Sequence, residues 1–404
     1  MRPFLALAEG LVRAGHDVTL AALDKTGRDS SRFAEKGGFR LIPIPQAGPP
    51  SQAEADREWR RLLFAGPLRQ LDLIYQAFDL DAEAMLTAAE ALCAENDLVL
   101  GHFMVHQLRA VAEKNNIPLA TLVPIHTALP TAENGPFGLP DLGAWSHKPA
   151  WALARYAIGR VVLPRVNTLR RQLGLAPDRD VLGQSWASDR LNLITASPSL
   201  CPPPADWGRQ HVMCGFVDRA VEPDLEPVPA EIEAFLAAGP PPVYLTFGSM
   251  MSLSQPYSRE TAVLLREAVR LAGVRAILQV PDAEFPSDAD CLVVARSPYA
   301  QVFPRCALVV HHGGAGTTQT ALRAGVPALI VAHIADQFFW GAHLAKLGAA
   351  AAPLKRRGLT AWRLAEAIRR AVTMPRERAA ELGRAIAAED GVKVAVEAIG
   401  RLQP

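Results

Sequence analysis

Apolar positions along the chain fall into two alternating rhythms. Residues 3–14 carry Phe4, Leu5, Leu7, Ala8, Leu11 and Val12 at helical spacing, and Gly15 supplies a stop. The runs DVTLAAL (17–23) and FRLIPIP (39–45) read as strands, with Gly37-Gly38 turning the chain between them. Residues 52–94 read as mostly helical with a break near Gly66-Pro67. The apolar runs DLVLGHFM (97–104), IPLATLVP (117–124) and LNLITAS (191–197) predict further strands. Strands alternating with helices predict a parallel α/β sheet. Residues 130–149 hold four prolines together with Gly135, Gly138 and Gly143, so a long loop is expected there.

Composition then shifts. Nine prolines lie between Cys201 and Pro242, interspersed with acidic residues, and mark a domain boundary. Beyond it the same alternation restarts. PPVYLTFGSM (241–250) is a strand entering a glycine turn, 261–272 a helix, and 275–280 and 291–296 are strands. VVHHGGAGTTQTALRAGVP (309–327) is a strand, a glycine loop and a helix; helices are also expected from Asp336 to Gly348, over 363–371 and over 376–402. The pattern predicts two Rossmann-like domains at 1–215 and 241–385, a linker at 216–240, and a C-terminal helix at 386–404 packing back on the first domain.

At 404 residues the chain exceeds what one core usually supports, which agrees with two domains. Lys and Arg number 42 and Asp and Glu 41, so no basic surface for nucleic acid is expected. Cys93, Cys201, Cys214, Cys291 and Cys306 are widely spaced and read as buried thiols in a reducing compartment. No apolar run is long enough to span a membrane, and Glu9, Arg13, His16 and Asp17 interrupt any secretory signal. The expected location is cytoplasmic.

The strongest chemical signal is the glycine loop. A buried strand delivers His311-His312 into Gly313, Gly314 and Gly316, and Thr317, Thr318 and Thr320 open the next helix. Glycines let a ligand approach the backbone, and the first helical N–H groups lack intrahelical partners and carry partial positive charge. Together they suit a diphosphate. No lysine follows, as a P-loop requires, and the glycine spacing is not that of a nicotinamide-dinucleotide site. A turn used only for packing is the alternative. Asp336-Gln337 follow nine residues after Pro327; Asp336 is a helix cap or, with Gln337, a fork for vicinal sugar hydroxyls. Gly248 and Ser249 stand at the C-terminal end of a strand, the edge where open parallel sheets bind ligands.

PVYLTFGSMMS, SPYAQVFPRCALVVHHGGAGTTQTALRAGVP and ADQFFWGAHLAKLGAA resemble the C-terminal domain of family 1 glycosyltransferases, nearest the bacterial macrolide and sterol branch. The resemblance extends to PFLALAEGLVRAGHDVTLAAL at the start of the chain. It implies the GT-B fold, an α/β architecture of two Rossmann-like domains with parallel sheets facing a central cleft. It also implies inverting, metal-independent transfer of a hexose from a UDP- or dTDP-sugar to a hydroxyl of a small apolar acceptor, with no cofactor beyond the nucleotide-sugar co-substrate. On this resemblance Ser249, His312, Gly314, Gly316 and Thr317 hold the donor diphosphate and Asp336 and Gln337 the donor sugar. Ser297, Pro298 and Tyr299 form the loop under the nucleobase; where some relatives place a stacking Trp just before that proline, Arg296 and Ser297 stand. Two short acidic patterns, 288–290 and 79–81, read as solvated turns or helix faces rather than a metal site.

The family's general base lies in a loop after the first strand, and that strand and loop would precede Met1. The expectation is a weakly active or inactive 404-residue chain whose turnover is restored by upstream residues. His102 is the local substitute candidate for the base, with His106 and His126 beside it. The rival reading is a non-catalytic nucleotide-sugar-binding homologue. Trp59, Phe64, Phe103, Phe137, Trp145 and Trp151 are expected in the first domain, with Phe103, Phe137 and Trp145 the candidates to line the acceptor pocket.

Overall fold

The computed structural model describes residues 2–23, 31–45, 51–219, 227–252, 254–281 and 285–402, with Arg32, Gln52, Ser249 and Ser252 described by backbone alone. The chain divides into two compact units: 1–49, 68–220 and 389–404 form one, and 50–67 and 221–388 the other.

The first unit opens with α1 (Arg2–Arg13), β1 (Thr19–Ala22), α2 (Ser31–Gly37) and β2 (Arg40–Pro43). The chain then leaves for α3 (Gln52–Phe64), which belongs to the second unit. It returns through α4 (Pro67–Asp79), α5 (Ala82–Glu95), β3 (Val99–His102), α6 (His106–Lys114), β4 (Leu119–Val123), α7 (Ala144–Gln172), β5 (Leu191–Ile194) and β6 (His211–Met213). Strands β1 and β2 pair parallel, and β3-β4-β5-β6 make a second parallel sheet. Leu122 and Leu193 pack with Leu7 of α1 and with Ala395 and Ile399 farther along the chain. Val99 packs instead with Cys93, Leu108 and Val111 of α5 and α6. Helices thus cover both faces, which is why these strands read as continuous apolar runs.

The second unit contains α3, α8 (Ala230–Ala237), β7 (Val243–Thr246), α9 (Gln255–Ala272), β8 (Ala276–Gln279), β9 (Cys291–Val294), α10 (Tyr299–Val302), β10 (Leu308–His311), α11 (Ala315–Arg323), β11 (Ala328–Ala332), α12 (Gln337–Lys346), β12 (Leu354–Lys355), α13 (Ala361–Ala371) and α14 (Glu377–Ala387). Its six parallel strands run in the order β12-β11-β10-β7-β8-β9. Side chains alternate across the sheet: Leu245, Leu278 and Val310 face a core shared with α9 and α13, and Tyr244, Ile277 and Val309 face one shared with α8 and α11. Helix α14 sits on α11 so closely that a Cβ on Gly383 would fall 2.2 Å from the Leu322 carbonyl oxygen. The final helix, α15 (Gly391–Gly400), returns to α1 in the first unit.

Several expectations are corrected. Residues 50–67 do not belong with the first unit. Helix α3 packs on α9, where Trp59 meets Tyr257 edge-on at 5.7 Å, Arg60 pairs with Glu260 at 2.9 Å, and Ser254 Oγ donates to Asp56. Trp59 and Phe64 are therefore not first-domain pocket residues. The helical stretch 52–94 breaks at 66, as the glycine–proline pair suggested, and again at Leu80-Asp81. The proline-rich stretch is not all linker: Phe216 and Val217 are buried in the first unit, and Ile232 and Leu236 of α8 in the second. The loop expected over 130–149 ends at Gly143, because Pro149 falls inside α7, which spans 29 residues. All five cysteines are buried, and none is in a disulfide.

Candidate functional site

Strands β7, β10 and β11 are neighbours, and their C-terminal ends release the loops that carry Gly248, His312–Gly314 and His333–Gln337. The sheet thereby gathers residues nearly ninety positions apart onto one edge.

His312 is the hub. It is 6% exposed, and its imidazole is slotted between two glycines. A Cβ on Gly314 would stand 2.3 Å from His312 Nε2, and one on Gly248 would stand 2.9 Å from Cε1. Gly248 also has φ +53°, a conformation that favours glycine. His312 Nδ1 has no hydrogen-bond partner. Burial drives the ring's pKa down to about 4, so it is neutral at physiological pH. His311 faces inward: its Nδ1 accepts the Gly313 N–H at 3.1 Å, and burial holds its pKa at about 3.

Gly313 has φ +90°, with its Cα against Ile330 and Gln337, and turns the chain into α11. Gly314 caps that helix without a side chain, and the first intrahelical bond runs from Thr318 N to Gly314 O at 3.0 Å. The amides before Thr318 therefore lie outside the helical ladder. Gly316 is exposed, and a Cβ there would meet nothing within 4 Å, so the mouth of α11 is open. Thr317 stands beside it, half-buried. The side chain of Ser249 lies outside the described residues; its backbone lies in the short helical turn Gly248–Ser252.

Asp336 opens α12 but makes no side-chain cap bond. Ala335 before it has φ +49°, an uncommon strain for a residue with a Cβ. Burial raises the Asp336 carboxyl to about 6. Gln337 has a structural duty the sequence did not reveal. Its Oε1 accepts the backbone N–H groups of His333 at 2.8 Å and Ile334 at 3.2 Å, while Nε2 faces only the Met250 sulfur at 3.8 Å. The carbonyl end ties the loop and the amide end is left with a weak contact.

Ser297 and Tyr299 turn into the unit. Ser297 Oγ meets Tyr244 Oη at 2.6 Å, and Tyr299 stacks on Phe303 at 4.5 Å while its hydroxyl joins Thr246 and Gln279. Pro298 caps α10. The polar atoms of this loop hold its own shape, through Tyr244, Thr246 and Gln279, which no local motif marked.

In the first unit, His102 ends β3; its ring lies on Phe103, and its Nδ1 accepts the Met104 N–H at 3.4 Å. Burial holds its pKa at about 4, well below the range of a base working near neutral pH. His106 and His126 are buried. Phe103 is core, edge-on to Trp186 at 5.1 Å, and the Trp151 indole N–H donates to the Asn134 carbonyl at 2.8 Å. Phe137 and Trp145 lie instead on the surface, 42% and 73% exposed, so the three candidates do not line one buried pocket.

This α/β fold with its parallel sheets is that of the GT-B class, as comparison with known proteins shows. Residues 277–395 match the model "Erythromycin biosynthesis protein CIII-like, C-terminal domain". The chain is 32% identical to O-mycaminosyltylonolide 6-deoxyallosyltransferase of Streptomyces fradiae, covering 97% of this chain and 92% of that one. It is 30% identical to the Arabidopsis thaliana sterol 3-beta-glucosyltransferase UGT80B1, covering 100% of this chain and 66% of that one. Arabidopsis thaliana UGT89C1 complexed with UDP superposes with a TM-score of 0.69 at 16% identity, over 100% of this chain and 96% of that one. The chain belongs to the macrolide and sterol glycosyltransferase family, and it is a glycosyltransferase. Among the described residues, no helix is long and apolar enough to cross a membrane.

Proposed function

We propose that the protein transfers a hexose, with inversion and without a metal, from a UDP- or dTDP-sugar to a hydroxyl of a small apolar acceptor. One observation carries this reading: the open N-terminus of α11, with His312 slotted beside it, stands on the same sheet edge as Asp336 and Gln337.

As the acceptor hydroxyl's oxygen bonds to the anomeric carbon and its proton passes to water, the bond to the diphosphate breaks and negative charge grows on the leaving oxygens. Oriented amides and the positive end of a helix dipole stabilise that charge without reorganising. His312, neutral and with an unsatisfied ring nitrogen, adds an N–H donor to the same anion and gains basicity when the anion binds. Asp336 supplies acceptors and Gln337 Nε2 a donor for adjacent hydroxyls of the hexose. Ser249, Gly314, Gly316 and Thr317 border the diphosphate, and the backbone of Ser297-Pro298-Tyr299 underlies the base.

The named activities of the two relatives move a 6-deoxyallose and a glucose, the first to O-mycaminosyltylonolide and the second to a sterol. In this chain Phe137, Leu139, Leu142, Trp145, Leu153 and Tyr156 expose apolar surface within one stretch, as an apolar acceptor requires. The test is release of UDP or dTDP from the corresponding sugar nucleotides in the presence of a macrolide and sterol acceptor panel. Nucleotide binding is expected, and acceptor-dependent release is the signature of transfer. Absence of any nucleotide binding refutes the reading.

A further inference from the structure

Beside the His333–Gln337 loop lies a small cavity, about 20 Å³, whose lining includes Arg60, Leu63, Phe64, Tyr257, His333 and Arg356. That volume admits one group about the size of a water molecule. Three of its walls are polar side chains at least nine-tenths buried: Tyr257 is 2% exposed, His333 3% and Arg356 9%. Each has one atom without a hydrogen-bond partner, namely Tyr257 Oη, His333 Nε2 and Arg356 Nε. Thr261 and the Arg356 guanidinium lie close enough to Tyr257 Oη to influence it but do not meet it in hydrogen-bond geometry. Buried polar atoms are costly when unpaired, so three around one cavity call for a common partner.

The partner's chemistry follows from the valences. His333 Nδ1 lies 2.8 Å from the Val331 carbonyl, which only accepts, so Nδ1 carries the hydrogen and Nε2 offers a lone pair. Arg356 Nε–H only donates; its Nη2 donates to Thr261 Oγ1 at 3.2 Å, and its face covers the Tyr257 ring at 5.2 Å. Tyr257 Oη does either. One acceptor, one donor and one ambivalent oxygen complement a single hydroxyl, which donates once and accepts twice. A carboxylate or phosphate has no hydrogen for Nε2, an ammonium has no lone pair for Nε–H, and a methyl group leaves all three unpaired.

The cavity is tied to the site already described, because the Gln337 carbonyl holds the backbone N–H of His333. Ring hydroxyls sit directly on a hexose ring, which is far too large for this space. The hydroxymethyl group alone carries its oxygen on an extra carbon. Resting on the nucleotide-sugar reading, we propose that the Tyr257–His333–Arg356 cavity receives the exocyclic hydroxyl of the donor hexose, so that the protein selects 6-hydroxy over 6-deoxy donors.

The experiment is calorimetric titration of the full chain with UDP, UDP-glucose and UDP-6-deoxyglucose, repeated with the thymidine series, for wild type and Tyr257→Phe. Phenylalanine removes only an unpartnered oxygen, so the fold is retained. Wild type binds the glucose nucleotide ~100-fold more tightly than the deoxy one, because a site built around a hydroxyl rejects its absence. Tyr257→Phe narrows that ratio to under ~10-fold by weakening only the glucose nucleotide, with the free nucleoside diphosphate and the deoxy sugar unchanged. Equal affinity of wild type for the two sugars, or equal loss for both in the variant, overturns the proposal; a cavity filled by an ordered water in the sugar complex does the same. If neither UDP nor dTDP binds, the nucleotide-sugar reading fails and the proposal with it. If one binds and the two sugars do not differ, only the proposal fails.

Discussion

Replacing Asp336 by Asn should make the protein more stable at neutral pH while damaging donor binding. The Asp336 carboxyl makes no cap bond to α12, and burial raises its pKa from 3.8 to about 6. That shift corresponds to about 3 kcal/mol between the two protonation states, an upper figure because the side chain keeps a partly exposed edge. The protonated form is the one the fold prefers. Its stability is complete below pH 3.8 and is lost as pH rises through about 6, where the folded protein must carry a poorly solvated charge. Asparagine carries no charge at any pH. Two units need not unfold in one step, so the readout is amide exchange of β10 and β11 under mild urea. At pH 4 the two proteins should agree within ~0.5 kcal/mol, and at pH 7.5 the variant should be more stable by ~2 kcal/mol. The same variant should bind a sugar nucleotide no better than the bare nucleoside diphosphate. An equal stability difference at both pH values, or a variant less stable at pH 7.5, refutes the reasoning.

Gly314→Ala and Gly316→Ala should separate support from access. The first places a Cβ 2.3 Å from His312 Nε2 and should cost ~1–3 kcal/mol by thermal unfolding, with loss of UDP affinity. The second meets open space and should leave the melting temperature within a few degrees while weakening UDP by ~10-fold or more, because the methyl occupies the path of the diphosphate. Ala335→Gly releases the φ +49° strain and should stabilise the second unit by up to ~1 kcal/mol in urea titration. Arg170, 5% exposed, donates to both oxygens of Glu113 at 2.7 and 2.8 Å and lies 3.2 Å from buried Asp178. Arg170→Met leaves that carboxylate uncompensated and should cost ~3–5 kcal/mol with unchanged UDP affinity, read by urea unfolding and calorimetry.

What the sequence disclosed followed from local pattern. Buried parallel strands read as apolar runs, and the glycine–threonine stretch after His312 announced an open helix end because glycines and a helix start suffice to make one. What it concealed depends on long-range contact. Gly248 looks like a turn glycine; only the sheet order brings it against His312, 64 residues later in the chain. Gln337 seemed free for a sugar, yet its carbonyl fastens the loop before it. Helix α3 carries no mark of its destination, since an amphipathic helix with Trp59 and Leu63 packs equally well on any apolar neighbour, and Asp56 and Arg60 find Ser254 and Glu260 some 200 residues away. The aromatic residues were the weakest guide, because Phe103 and Trp145 differ in burial and not in type.

The most direct test is a crystal structure of the chain bound to UDP or dTDP. The account predicts the diphosphate at the mouth of α11, its oxygens within hydrogen-bond reach of the amides at 314–317 and of the His312 ring, with the attached sugar in the hexose complex touching Asp336 and Gln337. A nucleotide seated away from β10 and α11, or a diphosphate with His312 turned from it, contradicts the account.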